Sequence, residues 1–139
     1  MSLVDKLMAI DRGDFAKEKT GEVRAKHLSE VMGGDVKVTI KALKGDLYNE
    51  IMTRMIDKKG RSNFGKAYDI NAILCVEGVV EPDLKNADLQ KHFGCASPKD
   101  LAKLFFPGGE LTRVADEITD LSGFSKEDEE EEEKEELKN

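Results

Sequence analysis

The sequence predicts an α+β fold, predominantly helical. A small β-hairpin over about residues 22–42 packs on a bundle of about four to five helices, and a disordered acidic tail follows. Three observations carry this. Val36 to Ala42 alternates apolar and polar with a period of two. Four later segments carry apolar residues at helical spacing between recognisable caps and stops. From Lys126 to Asn139 there are nine acids and a single apolar residue, Leu137, which cannot build a core.

The elements follow in order. Ser2 can cap a short helix bearing Leu3, Val4, Leu7, Met8 and Ile10, with Asp5 in its first turn, where the helix dipole favours acids. Arg12 to Gly21 has no clear period and two glycines, so it reads as a linker, and the first helix docks loosely or not at all. Glu22 to Leu28 alternates weakly and reads as the first strand of the hairpin. Val36, Val38 and Ile40 share one face of the second. Gly33-Gly34-Asp35 supplies turn chemistry between them, and Ser29 to Met32 has room for one helical turn.

Asp46 can cap a helix from Leu47 to Lys58, with Leu47, Tyr48, Ile51, Met52, Met55 and Ile56 as its stripe and Gly60 as its stop. Asp69 can cap Ile70 to Val80, a stretch so apolar that it belongs at the centre. A buried strand is the alternative, since Val and Ile are strand formers and Gly78 weakens either reading. The length and the stop at Glu81-Pro82 favour helix. Asn86 or Asp88 caps a short helix ended by Gly94. Ser97-Pro98, with Asp100 at the third helical position, opens another whose Leu101, Leu104 and Phe105 face inward. The last helix carries Leu111, Val114, Ala115, Ile118 and Leu121. Gly123 followed by Phe124 closes it as a left-handed cap. The domain limits expected are 1–21 for the first helix and linker, 22–125 for one globular domain, and 126–139 for the tail.

Charge sharpens this division. The chain of 139 residues has a formal net charge of −7. The nine acids and three lysines of residues 126–139 contribute −6, leaving −1 for residues 1–125. A nearly neutral body lacks the basic footprint that phosphate binding demands, which argues against nucleic acid as a partner. Trp is absent, and Phe and Tyr are few, so base-stacking platforms are not evident. The longest uncharged apolar run, Ile70 to Val76, is interrupted by Asn71 and falls far short of the ~18–20 residues of a membrane span. Met1 to Asp11 does not read as a secretory signal. Two cysteines, Cys75 and Cys95, make no disulfide framework and fit a reducing, cytoplasmic setting.

Chemistry is sparse. His92-x-x-Cys95 offers two potential metal ligands where a structural zinc site needs four. Neither cysteine has the base and electropositive setting of a nucleophile, unless His92 serves Cys95. Gly33-Gly34 and Gly108-Gly109 lack phosphate-loop spacing. No catalytic, cofactor or metal residue is therefore expected, and the chain reads as a non-enzyme. The most basic short window is residues 57–66, with Lys58, Lys59, Arg61 and Lys66 against one acid. It suits an acidic partner, nucleic acid, the chain's own acidic tail, or simple solvation.

A series of small motifs is informative in its order. Asp69-Ile70-Asn71, Ala72-Ile73-Leu74 and Val79-Val80-Glu81-Pro82-Asp83-Leu84-Lys85 come first. His92-Phe93-Gly94, Ser97-Pro98-Lys99-Asp100-Leu101 and Lys103-Leu104-Phe105-Phe106-Pro107-Gly108 follow, and Leu121-Ser122-Gly123-Phe124 closes the series. This resembles the XkdN-like family of phage tail assembly chaperones over about Val36 to Phe124. One departure is Gly109 ahead of Glu110 where the family reads P-G-E, so that turn is expected to differ locally. The resemblance implies a non-enzymatic protein of the host cytoplasm, absent from the mature virion. It would hold the long helical tape measure protein soluble until tail tube subunits polymerise around it and displace the chaperone. A frameshifted longer form would originate near the acidic tail. Met52 and Met55 are then candidate client contacts, ordinary core packing being the other reading. Lys58, Lys59 and Arg61 are candidate contacts to an acidic partner. A different class remains beside this one, a small α+β regulatory or nucleic-acid-associated protein using the loop 57–66.

Overall fold

The computed structural model describes residues 1–56, 58–61 and 63–124. The acidic segment expected to be disordered, and part of the basic window, lie outside them. The described residues form eight α-helices and one three-stranded antiparallel sheet. Helices α1 (Leu3–Met8) and α2 (Arg12–Phe15) lead to β1 (Thr20–Arg24), α3 (Lys26–Met32) and β2 (Lys37–Lys41). Then come α4 (Gly45–Thr53), α5 (Ala67–Gly78), β3 (Val79–Glu81), α6 (Ala87–His92), α7 (Pro98–Phe105) and α8 (Gly109–Leu121).

The sheet order is β1-β2-β3. Val23 faces Val38 across the first pair and Ile40 faces Val79 across the second. All four are buried, so one sheet face belongs to the core, as the period of two requires. The helices supply the other layer. The most apolar helix, α5, lies at its centre and packs against α7 and α8. Leu111, Val114, Ala115 and Ile118 form the inner stripe of α8 and are fully buried. Each of the three large ones contributes roughly 1.5–3 kcal/mol by leaving water.

Local signals set the helix ends. Ser2 accepts from the Asp5 N–H and the Asp5 carboxylate accepts back from the Ser2 N–H, a complete capping box. Asn86 accepts from the Leu89 N–H at 2.9 Å and Ser97 from the Asp100 N–H at 3.2 Å. Gly123 adopts φ 85°, and the Phe124 N–H returns to the Thr119 carbonyl. Phe124 stacks on Tyr48 of α4, with ring centroids 4.3 Å apart. Ser122 Oγ accepts from the Leu43 N–H at 2.8 Å, so the end of α8 is fastened to the junction between β2 and α4.

Several expectations are corrected. The first strand ends at Arg24; Lys26 to Leu28 belong to α3, because Leu28, Val31 and Met32 have the i, i+3, i+4 spacing of a helix. The linker holds the short helix α2. Helix α4 ends at Thr53, well before Lys58, and its N-cap Lys44 makes no side-chain cap, so Asp46 sits inside the first turn. The apolar run from Ile70 divides: helix to Gly78, then the strand Val79–Glu81, which pairs with β2. Leu104 points outward, 45% exposed.

The first helix α1 is capped but buries none of its residues. Leu3, Val4, Leu7 and Met8 are exposed, as is Ile10 just beyond it. No helix among the described residues is long and apolar enough to cross a membrane. Cys75 is fully buried on α5, and burial pushes its thiol up to about 12. Thiolate at pH 8 is then negligible, so the native protein should take up at most one equivalent of a thiol reagent, at half-buried Cys95, and two once denatured.

Candidate functional site

A candidate binding site lies where α3, the start of β2, the end of β3, α6 and α7 leave a gap. A groove of about 470 Å³ runs between them. One wall is α3, which presents His27, Leu28, Val31 and Met32; the chain then turns through Val36 and Lys37. The opposite wall is Leu89 and Phe93 of and just beyond α6, with Leu104 and Phe105 of α7. Glu81 and Pro82, joined by a cis peptide bond, close one end. Nine of the twelve lining residues are apolar, and the polar ones, His27, Lys37 and Glu81, bear both signs of charge.

The apolar lining includes large side chains left in water: Val31 and Met32 are each 69% exposed and Phe93 is 47% exposed. Grouped exposure of this kind makes the groove the candidate binding surface, a reading that single exposed apolar residues do not support. Phe93 is held edge-on against Phe105, centroids 5.5 Å apart, and the His92 ring stands edge-on to Phe93. The floor is therefore set by aromatic packing with core residue Phe105.

The wall α3 is positioned by two polar side chains, Glu110 and Ser29. Its N-cap is Ala25, which has no side chain to offer. Glu110, in the first turn of α8, takes that role from across the fold: its carboxylate accepts from the His27 N–H at 3.1 Å. The Glu110 side chain is only 10% exposed and lies 4.0 Å from the Arg113 guanidinium, which also donates to the Arg24 carbonyl. In the middle of the helix, buried Ser29 donates back to the Ala25 carbonyl at 2.6 Å and accepts from the Val36 N–H at 2.9 Å, which ties α3 to the approach to β2. Gly33, at φ 73°, then ends the helix. Replacing Glu110 by alanine should cost about 1–2 kcal/mol, the range for a lost helix cap. Hydrogen exchange at the His27 amide should accelerate, and Glu110→Gln, which keeps an acceptor, should lose less.

The five residues expected from sequence to contact a partner do not line this groove. Met52, on α4, and Met55, just beyond it, are half-buried against the core. Lys58, Lys59 and Arg61 are exposed in the loop after α4, near Ile56 and Phe64, which are also exposed. The Asn63 N–H donates to the Met55 carbonyl at 2.7 Å and closes that loop. Sequence reasoning missed the groove because its lining comes from separate segments. The readable signal was the helical spacing of Leu28, Val31 and Met32.

Comparison with known proteins adds the following. The family model described as "Phage XkdN-like tail assembly chaperone protein, TAC" matches residues 4–138, which takes in nearly all of α1 and of the acidic segment. The crystal structure of the protein yqbn is similar with a TM-score of 0.56 and 21% identity, covering 77% of this chain and 88% of that one. At that identity the likeness is one of fold. No curated protein matches the chain.

Proposed function

Because the chain belongs to the XkdN-like family of phage tail assembly chaperones, we propose that it is a non-enzymatic holdase for the tape measure protein. It acts in the host cytoplasm and is left behind when the tail is complete. The observation that supports this is the groove, with Val31, Met32, Phe93 and Leu104 exposed along an apolar lining.

The physical reasoning runs from client to groove. A long helical protein destined to sit inside a tube carries apolar faces that have no cover before the tube forms, and such faces aggregate. A helix laid in an apolar groove buries its stripe at i, i+3 or i+4, and i+7. The groove offers about 470 Å³, enough for the side chains of a turn or two rather than a whole helix. A grip of that size is weak, and weakness suits a holdase, since tail tube subunits must be able to displace it. Many copies along one client would be needed to keep it soluble. The mixed charge of Lys37 and Glu81 at the rim favours register without demanding a client of one sign.

The test is co-expression with the tape measure protein of the same phage locus. The client alone should be largely insoluble and should become soluble and co-purify when this chain is present. Purification of the chain from induced cells without any tail protein would overturn the reading.

A further inference from the structure

A second depression lies at the other end of the sheet. It has a volume of about 290 Å³ and is built from three segments: the linker residues Phe15 to Lys19, the junction Ala42 to Lys44, and Leu121 to Gly123 at the end of α8. Its charged side chains are Lys17, Lys19 and Lys44 against Glu18, which is 3.9 Å from Lys41. The cleft and its rim therefore carry four lysines and one acid. The linker is attached here by backbone, through the Ala42 N–H to the Lys19 carbonyl at 2.8 Å.

The position of this cleft gives it an occupant. One of its walls is Gly123, and the described chain leaves at Phe124, whose ring reaches to within 3.9 Å of a Cβ built on Gly45. Two residues later begins the segment 126–139, with acids at Glu127 to Glu133, Glu135 and Glu136. At about 3.3–3.6 Å per residue, Glu127 comes within about 10 Å of Phe124. Only residues 125 and 126 separate Phe124 from the first acid, so bringing it to a site beside Gly123 would cost little chain entropy. The basic loop 58–61 is a competitor, but it lies past the far end of α4, a helix about 13 Å long.

We propose that this lysine cleft is the docking site of the chain's own acidic segment, which lies across Lys17, Lys19 and Lys44. The contact ties the linker that carries α1 and α2 to the junction between β2 and α4. It is made of exposed ion pairs, individually weak and collectively salt-sensitive. Its consequence is that the exit direction of the apolar α1 is set by charge at the opposite terminus of the chain.

Amide NMR spectra of the full chain test this. Raising NaCl from about 20 to 500 mM shortens the screening length severalfold and should move the signals of Lys17 to Lys19 and Lys44. The full-length variant in which every acid from Glu127 to Glu133 is replaced by its amide should show those signals already moved and no longer salt-dependent. Reversing the cleft in K17E/K19E/K44E should abolish the salt response of the signals of residues 127–133. Salt and amide replacement acting instead on the signals of residues 58–61, or on no cluster of lysines, would overturn the proposal. Signals of α5, distant from both, report that each variant is folded.

Discussion

Replacing Gly78 by alanine should destabilise the protein by about 1–3 kcal/mol, although alanine is the better helix former by up to about 1 kcal/mol. Gly78 is the last residue of α5, buried where that helix crosses α8. A Cβ built there lies 2.6, 2.7 and 2.9 Å from three carbons of Ile118. Ile118 is fully buried, so it cannot swing into solvent to make room. The close approach therefore decides the sign. For a domain of this size the melting temperature should fall by roughly 4 °C per kcal/mol. Ile118→Ala alone should cost about 2–5 kcal/mol by leaving a cavity. In the Gly78→Ala background it should cost less, because the new methyl group occupies part of the space. A double-mutant cycle should show coupling on the order of 1–2 kcal/mol. Strictly additive costs would mean that α5 and α8 do not meet as described.

The largest functional effect is expected in the groove. Val31→Asp with Leu104→Asp places two carboxylates on opposite walls, at positions that are 69% and 45% exposed in the free protein. Folding should suffer little, a few tenths to about 1 kcal/mol, chiefly from an acid near the end of α3. Client binding should weaken by about 100-fold or more, since seating an apolar helix would then bury unpaired charge. Isothermal titration with a tape measure fragment, alongside a melting curve, separates the two quantities. Lys58→Glu with Arg61→Glu is the matched comparison. It should leave affinity within a few-fold if the groove carries binding, and abolish it if the basic loop does.

Much of the fold was legible because its signals are local. The alternation through Val38 and Ile40, the stripe from Leu111 to Ile118 and the caps at Ser2, Asn86, Ser97 and Gly123 are properties of neighbouring residues. What escaped is decided by distant partners. Val79 to Glu81 is a strand because β2 offers it an edge, and three residues hold no period of their own. Helix α4 stops at Thr53 although its apolar spacing continues through Met55 and Ile56. Glu110 lies in the first turn of α8, where the helix dipole alone would favour an acid. Its bond to the His27 amide joins residues 83 positions apart, which no local pattern encodes. Leu104 was read as core because it shares the α7 stripe with Leu101 and Phe105; its exposure reflects the gap left between α7 and α3.

The insertion of α3 between two paired strands has a consequence for how recognition can diversify. Arg24 and Lys37 are partners in the sheet, so the segment between them starts and finishes at one fixed place. Within it Ala25 and Ser29 are buried and Leu28 and Val36 pack partly against the core, whereas Val31 and Met32 face the groove with most of their surface exposed. The segment is in effect an exchangeable cassette. Under the function proposed above, Val31 and Met32 can be rewritten to follow a changing client while strand register, the α5–α8 crossing and the rest of the molecule stay as they are.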